Sequence, residues 1–592
     1  MLVLVAAACA CAAAVCSRTP PRGDARRRLA TEAERSGFVR TGRLDETIRL
    51  CRTFEEVFPE RARCMSFGAS PEGRPLLAIV ASADGVLDAA TARARRRPVI
   101  VIQAGIHAGE IDGKDGGFIA MRELLEGAIA RDALRRATVV FVPVFNVDGH
   151  ERFGPSLRPN QRGPVEAGFR TTAQSLNLNR DYVKAEAPEM HAMLALLNAW
   201  DPVVYVDLHT SDGAKFESDV AVIVEPIAPA GSQLVRTAQA LSRAIQARLT
   251  QLGHVPVWFY PSFRTDDDPT SGFDAPAVRP RYSQGYAAAR HRIGILVETN
   301  SWSTNRARIR SQRDVLVALL ERAARDARRW RAASEAADRD GARLGGRDVT
   351  LRWKNVGPPR TIAFRGYAYD RRRSEISGGL WTIYDETRPQ VWRVPLYDRL
   401  AAELVVRAPR GGYVVPRAHA TWVQRKLRLH GIRFRVIERR VPSAAVEVFR
   451  AERVAFDPPF EGRGQTRLTG AWHREHRPIA RGSLFVPIGQ PRALIAMHLL
   501  EPQGPDSLAT WGFFDASFER KEYMEAYVAE EEARKMLARD PSLRRAFERR
   551  LSDPAFAASP AARLDFFYRR HPSWDERVNL YPVMRVDAAS VR

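Results

Sequence analysis

Four β-branched residues in a row, Val99–Ile102, lead to Gly105, and His107 and Glu110 follow within the next five positions. An unbroken apolar run of this kind reads as a strand buried on both faces. In open α/β sheets, ligands gather just past the C-terminal ends of such strands, which is where this imidazole and carboxylate stand. Two groups three residues apart can reach one metal ion, and nitrogen and oxygen ligands together suit zinc. H-x-x-E alone is short enough to arise by chance, so the remaining parts must come from elsewhere in the chain.

Other strand ends supply them. ATVVFVPVFNVDG is a second buried strand, DPVVYVDLHTSDG a third that ends on His209, and HRIGILVETNSW a fourth that ends on Glu298. Between them, Arg43–Pro59, IDGKDGGFIAMRELLEGA, a segment from Pro188 and an Ala/Arg/Leu-rich stretch over 308–336 carry apolar residues at helical spacing. RCMSFGASPEGRPLLAIVAS reads as two strands joined at Ser70–Gly73. Alternating strands and helices predict an α/β sheet. The polar stretch 150–182 is a long loop, which inside such a domain marks function or disorder. His107, Glu110 and His209 would form a His2Glu set for one Zn2+ ion with a position left for water, the catalytic arrangement rather than the closed structural one. Glu298 is then the candidate general base.

The order H-x-x-E (107–110), N-x-D-G (146–149), Arg170, N-R (179–180), a late His (209) and a strand Glu (298) resembles the zinc carboxypeptidase family, over residues 40–330. The resemblance implies an α/β/α sandwich with a mixed central sheet, followed here by a C-terminal, mixed, strand-rich domain. It implies zinc ligation by His107, Glu110 and His209, and water activation by Glu298. Arg170 would polarise the scissile carbonyl, preferred to Arg162 because an aromatic precedes it. Asn179 and Arg180 would grip the substrate's terminal carboxylate. The implied reaction is hydrolysis of a C-terminal peptide bond, on a peptide or peptide-like substrate with a free carboxylate. Relatives of the fold also act on peptidoglycan stem peptides or N-acyl amino acids, so an amidase or deacylase is the alternative. A non-catalytic peptide- or envelope-binding module is the rival of another class, disfavoured because every catalytic position is filled. The family often has Asp two residues before the Asn-Arg pair, where this chain has Asn177. Tyr282 and Tyr286 are candidates for the family's mobile tyrosine. His150 and His191 receive no role.

Composition bounds the rest. A chain of 592 residues exceeds one core, and the expected organisation is a signal segment at 1–20, a catalytic domain at 31–336 and a C-terminal α+β domain at 347–592, with a linker near 338–346. The net charge of +23 would suit nucleic acid, but the excess is Arg spread along the whole chain, with no zinc-finger or aromatic-basic pattern. No specific nucleic acid is expected. Residues 1–16 are apolar and then turn Arg-rich, too short to span a bilayer but of secretory-signal length. Export, periplasmic or secreted, is therefore expected, with no transmembrane span; Cys9, Cys11 and Cys16 leave a lipid anchor open. Residues 17–30 read as a disordered lead-in. Cys51 and Cys64 could form a disulfide or stay as buried thiols.

Overall fold

A computed structural model describes residues 26–229 and 231–591. Its centre is an eight-stranded mixed sheet. In chain order its strands are β1 (Ala62–Ala69), β2 (Pro75–Ala81), β3 (Val99–Ala104), β4 (Thr138–Val142), β5 (Val204–Thr210), β6 (Val220–Glu225), β7 (Pro256–Val257) and β8 (Ile293–Thr299). In space they run β1-β2-β4-β3-β5-β8-β6-β7. The middle four, β4-β3-β5-β8, are mutually parallel, whereas β2 joins β4 and β6 joins β8 antiparallel. The chain leaves β3 to one side for β4 and returns to the other side for β5. That reversal makes a crevice beyond the C-terminal end of β3, the place where such sheets bind ligands. His107, His209 and Glu298 all lie there.

Alternate residues of the central strands face opposite layers. Ile100, Ile102, Val204, Val206 and Leu208 pack with Phe54 of α1 (Leu44–Val57), Phe118 of α2 (Asp112–Glu126), Leu241 of α4 (Gln233–Gln251) and Leu316 of α6 (Asn305–Gly341). Val99, Val101 and Tyr205 face Met190 and Leu194 of α3 (Pro188–Trp200) and Tyr286 of α5 (Ser283–Ala289). Helix α2 lies close on β5, since a Cβ at Gly113 would stand 2.6 Å from Leu208 Cβ. The expected α/β class with a mixed central sheet and a strand-rich C-terminal part is what the structure shows.

Beyond α6 come the pair β9 (Asp348–Asn355) and β12 (Leu400–Arg407), the hairpin of β10 (Arg360–Arg373) and β11 (Leu380–Tyr397), and a six-stranded sheet. The six are β13 (Gly412–Val415), β14 (Arg435–Val436), β15 (Val441–Phe460), β16 (Arg463–Ile479), β17 (Leu484–Pro487) and β18 (Met584–Val586), ordered β14-β17-β13-β18-β15-β16. This part does not stand apart. Val423 and Leu427 of α7 (Arg417–Leu429) and Ile495 and Leu499 of α8 (Ala493–Leu500) join the same apolar cluster as α3 and α5.

The expected disordered lead-in is corrected where it can be seen. Leu29 is fully buried and Thr31 caps a short helix with Glu34 answering from its third position, a reciprocal cap that orders a chain end. The signal segment expected at 1–20, with Cys9, Cys11 and Cys16, lies outside the described residues. Cys51 and Cys64 are joined as a disulfide. Among the described residues no helix is long and apolar enough to cross a membrane.

Candidate metal centre

Gly105 closes β3 with φ of +63°, a left-handed turn that glycine enters at little cost. The chain then doubles back, with Glu110 N donating to His107 O at 2.9 Å, so that both side chains face the crevice before α2 begins. On the adjacent strand β5, Asp207 and His209 are two residues apart and share a face. His209 pairs in register with Glu298 of β8.

These elements bring the three expected ligands together. Glu110 places one carboxylate oxygen 3.0 Å from His107 Nδ1 and the other 2.9 Å from His209 Nδ1, and the three candidate ligand atoms all lie within 4.8 Å of one another. All three residues are buried. The far side of each ring is held: His107 Nε2 lies 3.1 Å from Asn177 Oδ1 and His209 Nε2 lies 2.8 Å from Asp207 Oδ2. With a cation at the centre, an Nε2–H on each ring directed at these oxygens would leave the Nδ1 lone pairs to ligate it. Asn177 thus orients the first histidine as an amide. The carboxylate stands behind the second histidine instead, where Gln103 Nε2 anchors Asp207 at 2.8 Å.

Charge favours a cation here. Burial opposes the protonated form of His209, yet Asp207, Glu110 and Glu298 draw its imidazole well above its ordinary value. Burial raises the Glu298 carboxyl; the charge of His209 pulls it back, Glu110, Asp212 and Asp207 add to the rise, and it stands at about 8. A divalent ion would relieve both, competing with the proton at His209 Nδ1 and offsetting the crowded carboxylates. The donor set of two imidazoles and one carboxylate fits zinc.

The remaining predicted residues surround this point. Arg170 Nη1 stands 3.2 Å from Glu110 Oε1, whereas Arg162 turns away to Glu386 at 3.0 Å. Asn179 Oδ1 accepts from Ser283 N at 3.1 Å, and the Arg180 guanidinium lies 4.5 Å over the Tyr282 ring. The neighbouring Asp181 pairs with Lys184 at 2.8 Å, not with Arg180. A cavity of about 720 Å³ is lined by His107, Arg170, Arg180, Glu298, Tyr260 and, from the C-terminal half, His498. Thr299 Oγ1 donates to Asp112 and Asn300 Nδ2 to Phe216 O, which fixes the chain just past Glu298.

Three residues escaped sequence reasoning. Asp207 was legible in the D-x-H spacing of a strand. Arg158, 3.2 Å from Glu110 Oε1 and 2.9 Å from Asp212, sits in the long loop with no local signal. Tyr260 brings a phenol to the cavity wall. Tyr286 is fully buried with its hydroxyl 2.8 Å from His430 Nδ1, while Tyr282 lies beneath Arg180 and lines the same cavity as Tyr260. His150 is buried against Gly42 O, and His191 Nε2 lies 2.9 Å from Ala185 O.

Asp207→Asn should weaken zinc binding about 10- to 100-fold, because an amide supports the imidazole lone pair less than a carboxylate. Competition against a chromophoric chelator measures it, and unchanged affinity would deny Asp207 that role.

Parts of the chain are similar to known proteins. Residues 47–250 match the family model described as zinc carboxypeptidase. His107, Glu110, Arg170, Asn179, Arg180 and His209 fall within that span, while Glu298 lies beyond it. Carboxypeptidase B of Helicoverpa zea is 30% identical over 116 residues, 19% of this chain and 26% of that protein. The chain thus spans about a quarter of the curated relative it matches. Among solved structures, it is similar to a metallo-carboxypeptidase from Burkholderia cenocepacia (16% identity, 47% of this chain and 68% of that one, TM-score 0.34). It is also similar to carboxypeptidase A from Helicoverpa armigera (16% identity, 48% and 74%, TM-score 0.34).

Proposed function

We propose, proceeding from a chain whose residues 47–250 match the zinc carboxypeptidase family, that this protein is a zinc-dependent metallocarboxypeptidase that hydrolyses C-terminal peptide bonds. The observation that carries the reading is the meeting of His107, Glu110 and His209 at one buried point, with Glu298 on the adjoining strand and Arg180 lining the same cavity. His107 and His209 through Nδ1, and Glu110 through its carboxylate, would hold the ion. When bound, zinc supplies Lewis acidity and makes water a nucleophile at neutral pH.

The chain's own groups do the rest. Arg180 offers a planar pair of donors to the substrate's terminal carboxylate and is steadied over Tyr282. The Glu298 carboxylate takes a proton from the attacking water as its oxygen bonds the scissile carbonyl carbon. The same group returns that proton to the amine nitrogen as the C–N bond breaks. Arg170 places positive charge where the carbonyl oxygen gains its negative charge. The Cys51–Cys64 disulfide supports work in an oxidising compartment, in keeping with export.

Paired peptides that differ only in a free or amidated C-terminus test the reading, digested and followed by mass spectrometry. Single residues should leave the free acid. Arg180→Ala should raise KM for the free acid about ten- to a hundredfold, the worth of a hydrogen bond to a charged group, and leave the amide little changed. Equal losses on both would remove the carboxypeptidase assignment and turn the reading toward the amidase or deacylase alternative.

A further inference from the structure

The C-terminal half clasps the two segments that carry the carboxylate grip. The first segment is 177–186. Asn177 N donates to Glu461 Oε2 at 3.3 Å, from the turn between β15 and β16. His430 Nε2 donates to Val183 O at 3.0 Å, Lys426 Nζ to Ala185 O at 2.9 Å, and Arg463 Nη2 to Glu186 at 2.6 Å. The second segment is 281–286, and its contact is the most enclosed. Asp506 accepts from Arg281 at both ends of the residue, from the backbone N at 2.9 Å and from Nε at 2.6 Å. Arg281 Nη2 donates to Pro505 O at 3.1 Å, and its guanidinium stands 4.6 Å from the Trp511 ring. Asp506 and Trp511 are fully buried and Arg281 is 5% exposed.

A buried ion pair is weak evidence of stabilisation, because desolvation offsets its attraction. What this one does is fix direction. Binding both the main chain and the side chain of Arg281 leaves residue 282 little freedom. Tyr282 is the surface on which Arg180 lies, and Ser283 N is the donor that holds the Asn179 amide. The chain of contacts is Asp506 to Arg281, then Tyr282 and Ser283, then Arg180 and Asn179. We propose that Asp506, acting through Arg281, is a positioning residue for substrate-carboxylate binding, so that the C-terminal half completes the site of the catalytic half. This rests on the reading of Asn179 and Arg180 as the carboxylate grip. It gives the second half a role in substrate affinity, which its sequence did not announce.

Asp506→Asn and Arg281→Lys, made in the full chain, test it on the same free and amidated peptides, with zinc content and kcat followed alongside. An ångström of misplacement is enough to cost large factors, so KM for the free acid should rise about tenfold or more. Zinc content, kcat and the rate on the amidated peptide should hold, the pattern of lost ground-state binding. Where loss of the ion pair unfolds the chain, Tyr282→Leu, at the half-buried edge of the cavity, tests the last link and should show the same split. A fall in kcat with KM unmoved, or equal losses on both peptides, overturns the proposal. Arg180→Ala separates the two ideas. If it discriminates free acid from amide and the Asp506, Arg281 and Tyr282 variants do not, the positioning role fails and the carboxylate reading stands. If Arg180→Ala does not discriminate, the carboxylate reading itself is wrong.

Discussion

Glu298→Gln should keep its zinc and lose turnover by about 10²- to 10⁴-fold, the contribution typical of a placed acid or base. The substitution is nearly isosteric, and the residue sits in a strand whose ladder to β5 and β6 is made by the backbone, so the fold has no reason to change. Glu298 is not one of the three groups that meet at the centre, so the metal has no reason to leave. What disappears is a group able to accept a proton and return it. Burial and the charges of Glu110, Asp212 and Asp207 raise this carboxyl against the pull of His209. A cation held beside it would draw it back toward the ionised form that a base needs. Steady-state kinetics on a free-acid peptide, with metal content measured on the same sample, decides the matter. A near-normal kcat with full zinc would mean that another group carries the proton.

The parts of this site that could be read in the sequence are those set by local geometry. The run Val99–Ile102 predicted a strand buried on both sides, and all four residues are buried. H-x-x-E, the late His and the strand Glu each sat at the end of such a strand, so period and position pointed to one rim of the sheet. Asn177 too was legible as an amide standing where a carboxylate is usual. The parts that could not be read depend on which strands and loops become neighbours. Arg158 reaches Glu110 across 48 residues of chain, and Arg281 meets Asp506 across 225. No periodicity encodes either contact. Tyr260 reaches the cavity from a loop whose sequence carries no signal for it. Leu29, within the expected lead-in, finds its burial against elements that composition does not reveal.

His209→Ala should abolish detectable hydrolysis while leaving a folded chain. The ladder that pairs β5 with β3 and β8 is made by the backbone, which the substitution leaves in place, while the His209 side chain bridges Glu110 and Asp207 near the end of β5. The strand's apolar residues, Val204, Val206 and Leu208, stay buried without it. The cavity left at a strand end beside a large open cleft can fill with water, so the fold survives. The metal does not. Two of three donors remain, Glu110 loses one of its partners, and zinc binding depends on a full set. Without the ion's several kcal/mol of charge stabilisation, kcat/KM should fall by about three orders of magnitude or more. The wild-type protein stripped with excess chelator should match the variant in activity and regain its rate when zinc is returned, whereas His209→Ala should not. Bound metal also stabilises the folded state by mass action, so chelation should lower the melting temperature of the wild type and leave that of the variant unmoved. A variant that binds zinc as tightly as the wild type, or a wild type indifferent to chelator, would show that these three side chains meet for some purpose other than holding a catalytic ion.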